Sequence, residues 1–184
     1  FGRPEWAKLA ARSADFVLEQ MWSQGRLLRS HQEGKTRIDG FIEDYGDLAA
    51  GLTALYQATF DSKYLEAAGM IADAAIDRFW DASRSAYLSA PKGQKDLLCA
   101  TYALHDNAFP SGASTLTEAQ VALAALTGQS RYLEQAGKYL RKVRDEMVGN
   151  PFGFGHLMLA ADAWLDGAAE VTLVGKRSEL EPWL

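Results

Sequence analysis

Two stretches decide the fold: Thr59-Phe60-Asp61-Ser62-Lys63-Tyr64-Leu65-Glu66-Ala67-Ala68-Gly69 and Thr127-Gly128-Gln129-Ser130-Arg131-Tyr132-Leu133-Glu134-Gln135-Ala136-Gly137. They agree at Thr, Ser, Tyr, Leu, Glu, Ala and Gly, and Lys63 keeps its charge in Arg131. Self-similarity at such a spacing marks an architecture of stacked units, each burying an apolar face on the next. A fainter third copy lays Trp6-Ala7-Lys8-Leu9-Ala10 through Met21-Trp22 over Tyr64-Leu65-Glu66-Ala67-Ala68 through Phe79-Trp80.

Working outward, each unit reads as two helices. Leu48, Leu52, Leu55, Tyr56 and Thr59 share one helical face, and Tyr64, Ala68, Ile71, Ala72, Ala75, Ile76 and Phe79 share another. Ser62 between them, and Ser130 in the next unit, are placed to cap the second helix. A short turn makes the two helices antiparallel neighbours. Leu133, Ala136, Leu140, Val143 and Met147 continue the pattern until Gly149-Asn150-Pro151 stops it, and Leu157 to Leu165 begins another helix. Tyr56, Tyr64, Trp80 and Tyr132 read as core, and dense small residues such as Ala49, Ala50, Gly51, Ala67 and Ala68 permit close helix approach.

Two regions depart from the helical pattern. The long connection from Asp81 to Ser111 holds Ala86-Tyr87-Leu88-Ser89 and Leu97-Leu98-Cys99-Ala100-Thr101-Tyr102, which read as two short strands around the turn residues Pro91-Lys92-Gly93. Glu170-Val171-Thr172-Leu173-Val174-Gly175 also reads as a strand. The expectation is therefore an all-α fold of about three helical hairpins over residues 1–169, a fragment of an α/α toroid with a short β-hairpin in the long loop. A strand-like segment over 170–184 follows as part of a truncated continuation. The chain opens on what reads as the second helix of a hairpin, which fits a piece excised from a longer protein.

Bulk properties limit function. The 184 residues are 48% hydrophobic and 23% charged, as in ordinary globular domains, with a net charge of −5. That balance argues against nucleic acid as a partner, because such binding draws on a basic face. No apolar run approaches a membrane span, so no membrane partner is expected. The single cysteine, Cys99, has no disulfide partner in the chain and reads as a small buried residue, and the location expected is cytoplasmic. Three histidines lie far apart with no HExxH or CxxC, so neither a metal nor a cofactor is expected. Pro110-Ser111-Gly112-Ala113-Ser114 is not a GxSxG elbow.

Polar residues interrupt the pattern just before the first helix of each unit. The clusters are Asp39-Gly40-Phe41-Ile42-Glu43-Asp44-Tyr45-Gly46, His105-Asp106-Asn107-Ala108-Phe109-Pro110-Ser111-Gly112-Ala113-Ser114 and Asn150-Pro151-Phe152-Gly153-Phe154-Gly155-His156. In a ring of hairpins the first helices form one layer and these clusters line one mouth, where helix N-termini offer free N–H groups. Asp44, Asp106 and His156 are the catalytic candidates. Glu43, Tyr45, His105, Asn107, Ser111, Ser114 and Phe154 are the candidate substrate contacts, aromatic rings and carboxylates being suited to a carbohydrate ligand. Two carboxylates in a cleft, Asp44 with Asp106 or Glu43 with Glu118, can divide acid and base roles. The plainer alternative stays open: Asp44 and Ser114 as helix caps only, Pro110 and Gly112 as turn residues, and His31 in its polar segment as solvated.

These motifs resemble a family. Gly40-Phe41-Ile42-Glu43-Asp44-Tyr45-Gly46, then Gly51-Leu52-Thr53-Ala54-Leu55-Tyr56-Gln57-Ala58-Thr59, then Tyr64-Leu65-Glu66 is similar to the helical part of YyaL-type proteins, also called spermatogenesis-associated protein 20-like or DUF255 proteins. Asp106-Asn107-Ala108-Phe109-Pro110-Ser111-Gly112-Ala113-Ser114 resembles their Asp-(Gly/Asn)-Ala-x-Pro-Ser-Gly-Asn-Ser segment, with Ala113 where the family usually has Asn. The resemblance implies the C-terminal part of a protein that pairs a thioredoxin-like domain with a six-hairpin toroid similar to N-acylglucosamine 2-epimerases and glycosidases. It implies a sugar epimerase- or glycosidase-like domain. A non-catalytic scaffold attached to a redox domain and a helical-repeat protein-interaction domain are the alternatives. A ring left open would expose an apolar edge, so a homodimer through that edge is a further expectation.

Overall fold

A computed structural model describes residues 3–94, 99–102, 104–169, 174–176 and 178. Six α-helices run through the described residues: α1 (Pro4–Gln20), α2 (Ile42–Thr59), α3 (Ser62–Phe79), α4 (Gly112–Thr127), α5 (Ser130–Gly149) and α6 (Gly155–Asp166). The expected all-helical array of hairpins is what the chain forms. α2 packs most extensively on α4, and α4 packs on α6, giving one layer. α3 lies against α2 and α4, α5 against α4 and α6, and α1 against α2, giving a second. Tyr45, Leu52, Ile71, Phe79, Leu116, Leu123, Tyr132, Tyr139 and Leu157 are fully buried between the layers. Each such side chain contributes about 1.5–3 kcal/mol of hydrophobic stabilisation.

The repeated residues have physical reasons. Thr59 donates to the Leu55 carbonyl at 2.7 Å and accepts from the Asp61 amide at 3.3 Å. Thr127 does the same with Leu123 at 2.6 Å and Gln129 at 3.4 Å. One hydroxyl thus occupies a carbonyl at the helix end and an amide in the turn that follows. The next residue, Phe60 in one unit and Gly128 in the other, adopts φ of 57° and 69°. That left-handed geometry costs a phenylalanine more than a glycine. The cap of α3 is Asp61, whose carboxylate accepts from Lys63 N at 3.1 Å, rather than Ser62, which is the first helical residue. At α5 the cap position is Gln129, with no side-chain cap bond, and Ser130 is likewise inside the helix.

The repeated cation joins one unit to the one before. Lys63 on α3 meets Asp15 on α1 at 3.0 Å, and Arg131 on α5 meets Asp73 on α3 through a two-pronged contact at 2.5 and 2.9 Å. The third sequence copy sets Asp15 in register with Asp73, so both ion pairs are the same joint. The repeated tyrosines follow: Tyr64 OH donates to Asp15, and Tyr132 OH reaches the Gly69 carbonyl.

Two glycines fix the α2–α4 crossing. A Cβ on Gly112 would stand 2.5 Å from Glu43 Cα and from the Ile42 carbonyl carbon, and one on Gly46 would stand 2.5 Å from the Gly112 carbonyl oxygen. Gly112 therefore serves backbone-to-backbone approach, not a turn.

The β structure is larger than the sequence reading anticipates. β1 (Trp22–Ser23), β2 (Arg26–Gln32) and β3 (Lys35–Asp39) form an antiparallel sheet in the order β1-β2-β3. Its turns are Gln24-Gly25 and Glu33-Gly34, with positive φ at both residues of each, as tight hairpins require. His31 lies in this sheet, its Nδ1 3.0 Å from the Thr36 hydroxyl and its ring edge-on to Phe16, so it is ordered rather than simply solvated. In the long loop, β4 (Trp80–Asp81) pairs with β5 (Ala86–Tyr87), and Leu88 makes a single bridge to Tyr102. The short hairpin is present, but Ala86–Tyr87 finds its partner upstream at the end of α3. Leu97 and Leu98 lie outside the described residues, as does most of the strand expected over 170–175, of which Val174 and Gly175 are not in a strand. Cys99 is exposed, not buried. No described helix is long and apolar enough to cross a membrane.

Candidate functional site

The N-terminal ends of α2, α4 and α6 gather at one end of the array, and Asp106 ties two of them together. It precedes α4 in the long loop and is 8% exposed. Its Oδ1 accepts from the Ser111 amide at 2.8 Å, and its Oδ2 accepts from the His156 and Leu157 amides at 2.8 and 3.1 Å. It thereby caps α6 from a different segment of chain while holding the start of α4. Burial pushes its pKa up, but the amides of Ser111, Leu157 and His156 and the Ser114 hydroxyl outweigh that, and the net shift is downward. Ser111 caps α4, its Oγ accepting from Ser114 N at 3.2 Å and lying 2.8 Å from Ser114 Oγ.

Asp44, in the first turn of α2, accepts from the Phe41 amide at 2.8 Å. This is one half of a capping box, since Phe41 has no side-chain oxygen with which to reciprocate. Arg29 on β2 lies over the Phe41 ring at 4.8 Å and reaches Asp44 at 3.5 Å and Glu43 at 3.7 Å. The sheet therefore sends a cation to the mouth that sequence reasoning missed, because its hairpin turns went unread.

His156 opens α6, and its Nε2 lies 2.8 Å from Glu118 Oε2 on α4. Beside this pair stands Asp47, one turn beyond Asp44 on α2. Its surface is exposed, yet its carboxyl is crowded enough that desolvation raises its pKa; the Asp44 charge adds to the rise, while the Thr115 hydroxyl and His156 oppose it. Asp47 was not singled out from sequence, although its three-residue spacing from Asp44 puts both on one helix face. A groove of about 520 Å³ starts at Glu118 and runs between α4 and α6 past Val121, Ala122, Leu159 and Ala163. Its volume lies in the range of small-molecule sites.

The remaining candidates fall outside this focus. Tyr45 is buried, its hydroxyl accepting from Leu27 N at 2.8 Å and its ring edge-on to Trp22 and Phe79. Phe154 is buried with its ring 5.0 Å from that of His105. His105 and Asn107 are exposed on the loop. Ala113 is fully buried in the core. Among the described residues no group of three His, Cys, Asp or Glu is placed to hold a metal ion.

The fold and the site define a class: an array of helical hairpins whose first helices begin at a common, carboxylate-rich mouth. No protein-family model matches the chain. It is a distant relative of spermatogenesis-associated protein 20, being 27% identical to the rat protein over 177 residues (90% of this chain, 22% of that protein). It is 25% identical to the human protein over 194 residues (96% and 24%). An uncharacterized protein of Caenorhabditis elegans is 24% identical over 180 residues (93% and 24%). The chain spans about a quarter of the length of these curated relatives.

Proposed function

We propose that the mouth where α2, α4 and α6 begin is a carbohydrate site of sugar epimerase or glycosidase type. The observation that carries this is the contact of His156 Nε2 with Glu118 at the head of a groove, beside a carboxyl whose pKa is raised. If Glu118 accepts the Nε2 proton, the neutral ring keeps its Nδ1 lone pair for proton abstraction. Asp47, whose pKa desolvation raises above the ordinary carboxylate value, is the matching acid. Asp44 and Asp106 are positioning residues in this reading, because their oxygens already accept backbone amides. Glu43 and Ser111 hold sugar hydroxyls, whereas Ser114 is fully buried and serves the start of α4. The hairpins belong to an α/α toroid within a longer, thioredoxin-containing protein.

The test is titration of the chain with mono- and oligosaccharides, amino sugars included, following the His156 ring resonances by NMR. Shifts that saturate, and that Asp47→Asn and Glu118→Gln each weaken with folding intact, support the site; unmoved resonances across the panel overturn it. The second reading is a non-catalytic scaffold, favoured by the commitment of Asp44 and Asp106 to helix ends. It requires that Glu118→Gln and His156→Ala alter neither sugar binding nor turnover in the longer protein.

A further inference from the structure

The hairpin that follows each second-layer helix is itself repeated. Trp22 follows α1 and pairs with Leu27; Trp80 follows α3 and pairs with Tyr87. The next residue, Leu28 in one unit and Leu88 in the other, pairs with a third segment, at Asp39 and at Tyr102 respectively. Asp39 and Tyr102 therefore hold the same place in successive units. In the first unit that place is filled by a charge. The Asp39 carboxylate meets Arg26 of its hairpin at 2.7 Å and comes within 4.0 Å of Arg78 on the next second-layer helix, α3. In the second unit the carboxylate is replaced by a phenol, whose hydroxyl donates to Asp81 at 2.7 Å.

The cations are still there. Arg84 in the turn of the second hairpin and Lys142 on the next second-layer helix, α5, border a cleft of about 550 Å³ together with Tyr102, Leu104, Val143 and Glu146. Both cations are exposed, and among the described residues neither side chain makes an ion pair or a hydrogen bond. Arg84 lies over the Tyr102 ring at 5.5 Å, a contact that supplies no acceptor for its five N–H donors. Asp81 does not answer it either, because its carboxylate already accepts from the Ser83 amide and hydroxyl at 2.9 and 2.6 Å and from Tyr102. Glu146 lies one turn beyond Lys142 and pairs with neither cation. The cleft sits between two units that are both present. Its α5 wall is the face opposite Arg141, Arg144 and Val148, so a hairpin following α6 would pack on the other side of that helix.

We propose that this cleft binds a small organic anion, its carboxylate or phosphate group held between Arg84 and Lys142 where the preceding unit holds the carboxylate of Asp39. The apolar part of the ligand rests on Leu104, Val143 and the Tyr102 ring. The volume is in the range of small-molecule sites, and a few polar groups over an apolar floor is their usual composition. Arg84 can meet two oxygens of either anion with its fork, and Lys142 adds a point charge. Glu146 sets the limit at one end: it repels an anion placed beside it. The inference rests on the repeated hairpin and stands apart from the sugar reading of the mouth.

The experiment is titration of the chain with benzoate, phenyl phosphate, inorganic phosphate and neutral benzyl alcohol, following backbone amide resonances by NMR. Benzoate or phenyl phosphate gives saturating shifts at residues 83–86 and 142–146, and the stronger of the two identifies the anion preferred. Benzyl alcohol gives none, and inorganic phosphate binds more weakly than phenyl phosphate. Arg84→Gln and Lys142→Gln each raise Kd about tenfold, the loss of one charge-assisted hydrogen bond. Glu146→Gln lowers Kd, because it removes the repelling charge. All three changes are at exposed positions, and circular dichroism verifies that the variants fold. No saturating shift with either aromatic anion overturns the proposal. So does binding that neither cation variant weakens, or benzyl alcohol binding as well as benzoate, which would leave only an apolar patch.

Discussion

Replacing Gly112 with alanine tests the α2–α4 crossing directly. The new Cβ would stand 2.5 Å from Glu43 Cα and from the Ile42 carbonyl carbon, where ordinary contacts begin at 3.4 Å. Both obstacles are backbone, so no side chain can rotate away, and α4 has to move back from α2 by about 1 Å along its first turn. Overpacking of this kind costs about 1–3 kcal/mol. For a chain of this size each kcal/mol lowers Tm by about 2–4 °C, so the fall is about 2–12 °C. Gly51, within α2, provides the control, since a Cβ there meets nothing within 4 Å. Gly51→Ala gains about 1 kcal/mol from helix propensity alone. Thermal and urea denaturation of the two variants should therefore move in opposite directions. If Gly112→Ala is neutral, or stabilises as Gly51→Ala does, the helices do not cross where described and the placement of the mouth fails with them.

Asp106→Asn lowers stability by about 2–3 kcal/mol at pH 7, since an amide nitrogen turns a donor toward backbone N–H groups. Because the folded pKa of Asp106 is depressed, its contribution is full above the ordinary aspartate value of 3.8 and drains away as pH falls through the folded value. The variant should accordingly lose less than the parent between pH 4 and pH 2 in urea titrations, and parallel curves would contradict the geometry. Asp47 has the opposite sign: its raised pKa penalises folding once pH exceeds that value, so Asp47→Asn should raise Tm at pH 7 and leave it unchanged at pH 3. A variant less stable at pH 7 would show that its carboxylate is welcome in the fold. Tyr87→Phe removes the hydroxyl that lies 2.9 Å from Gln120 and 3.3 Å from Gln135 in the core. Leaving those amides without a partner should cost about 1–3 kcal/mol by chemical denaturation, and a loss below about 0.5 kcal/mol would mean that water reaches them.

The helices were legible because their information is local and repeated. Apolar spacing places α2, α3 and α5, and the shared Thr, Tyr and cation mark both turns and joints. The β1–β3 sheet was hidden because its strands are short, polar and half-exposed, and only Gln24-Gly25 and Glu33-Gly34 hint at it. The mouth was legible as a location, since breaks in a repeat fall where helices begin. Its chemistry was not: that Asp106 serves two helix ends depends on the contact of residues some fifty positions apart. The raised pKa of Asp47 depends on crowding between α2 and α4, which spacing cannot convey.

Asp106 also acts as a gauge. One carboxylate spans from Ser111 to His156, so the distance between the beginnings of α4 and α6 is set by the size of a functional group located behind the opening. Side chains facing the opening do not set it. The aperture and its lining are then separable properties. Residues such as Glu43, Asp47 and Glu118 can change in identity, and with them the molecules admitted, while the gap they border keeps its width.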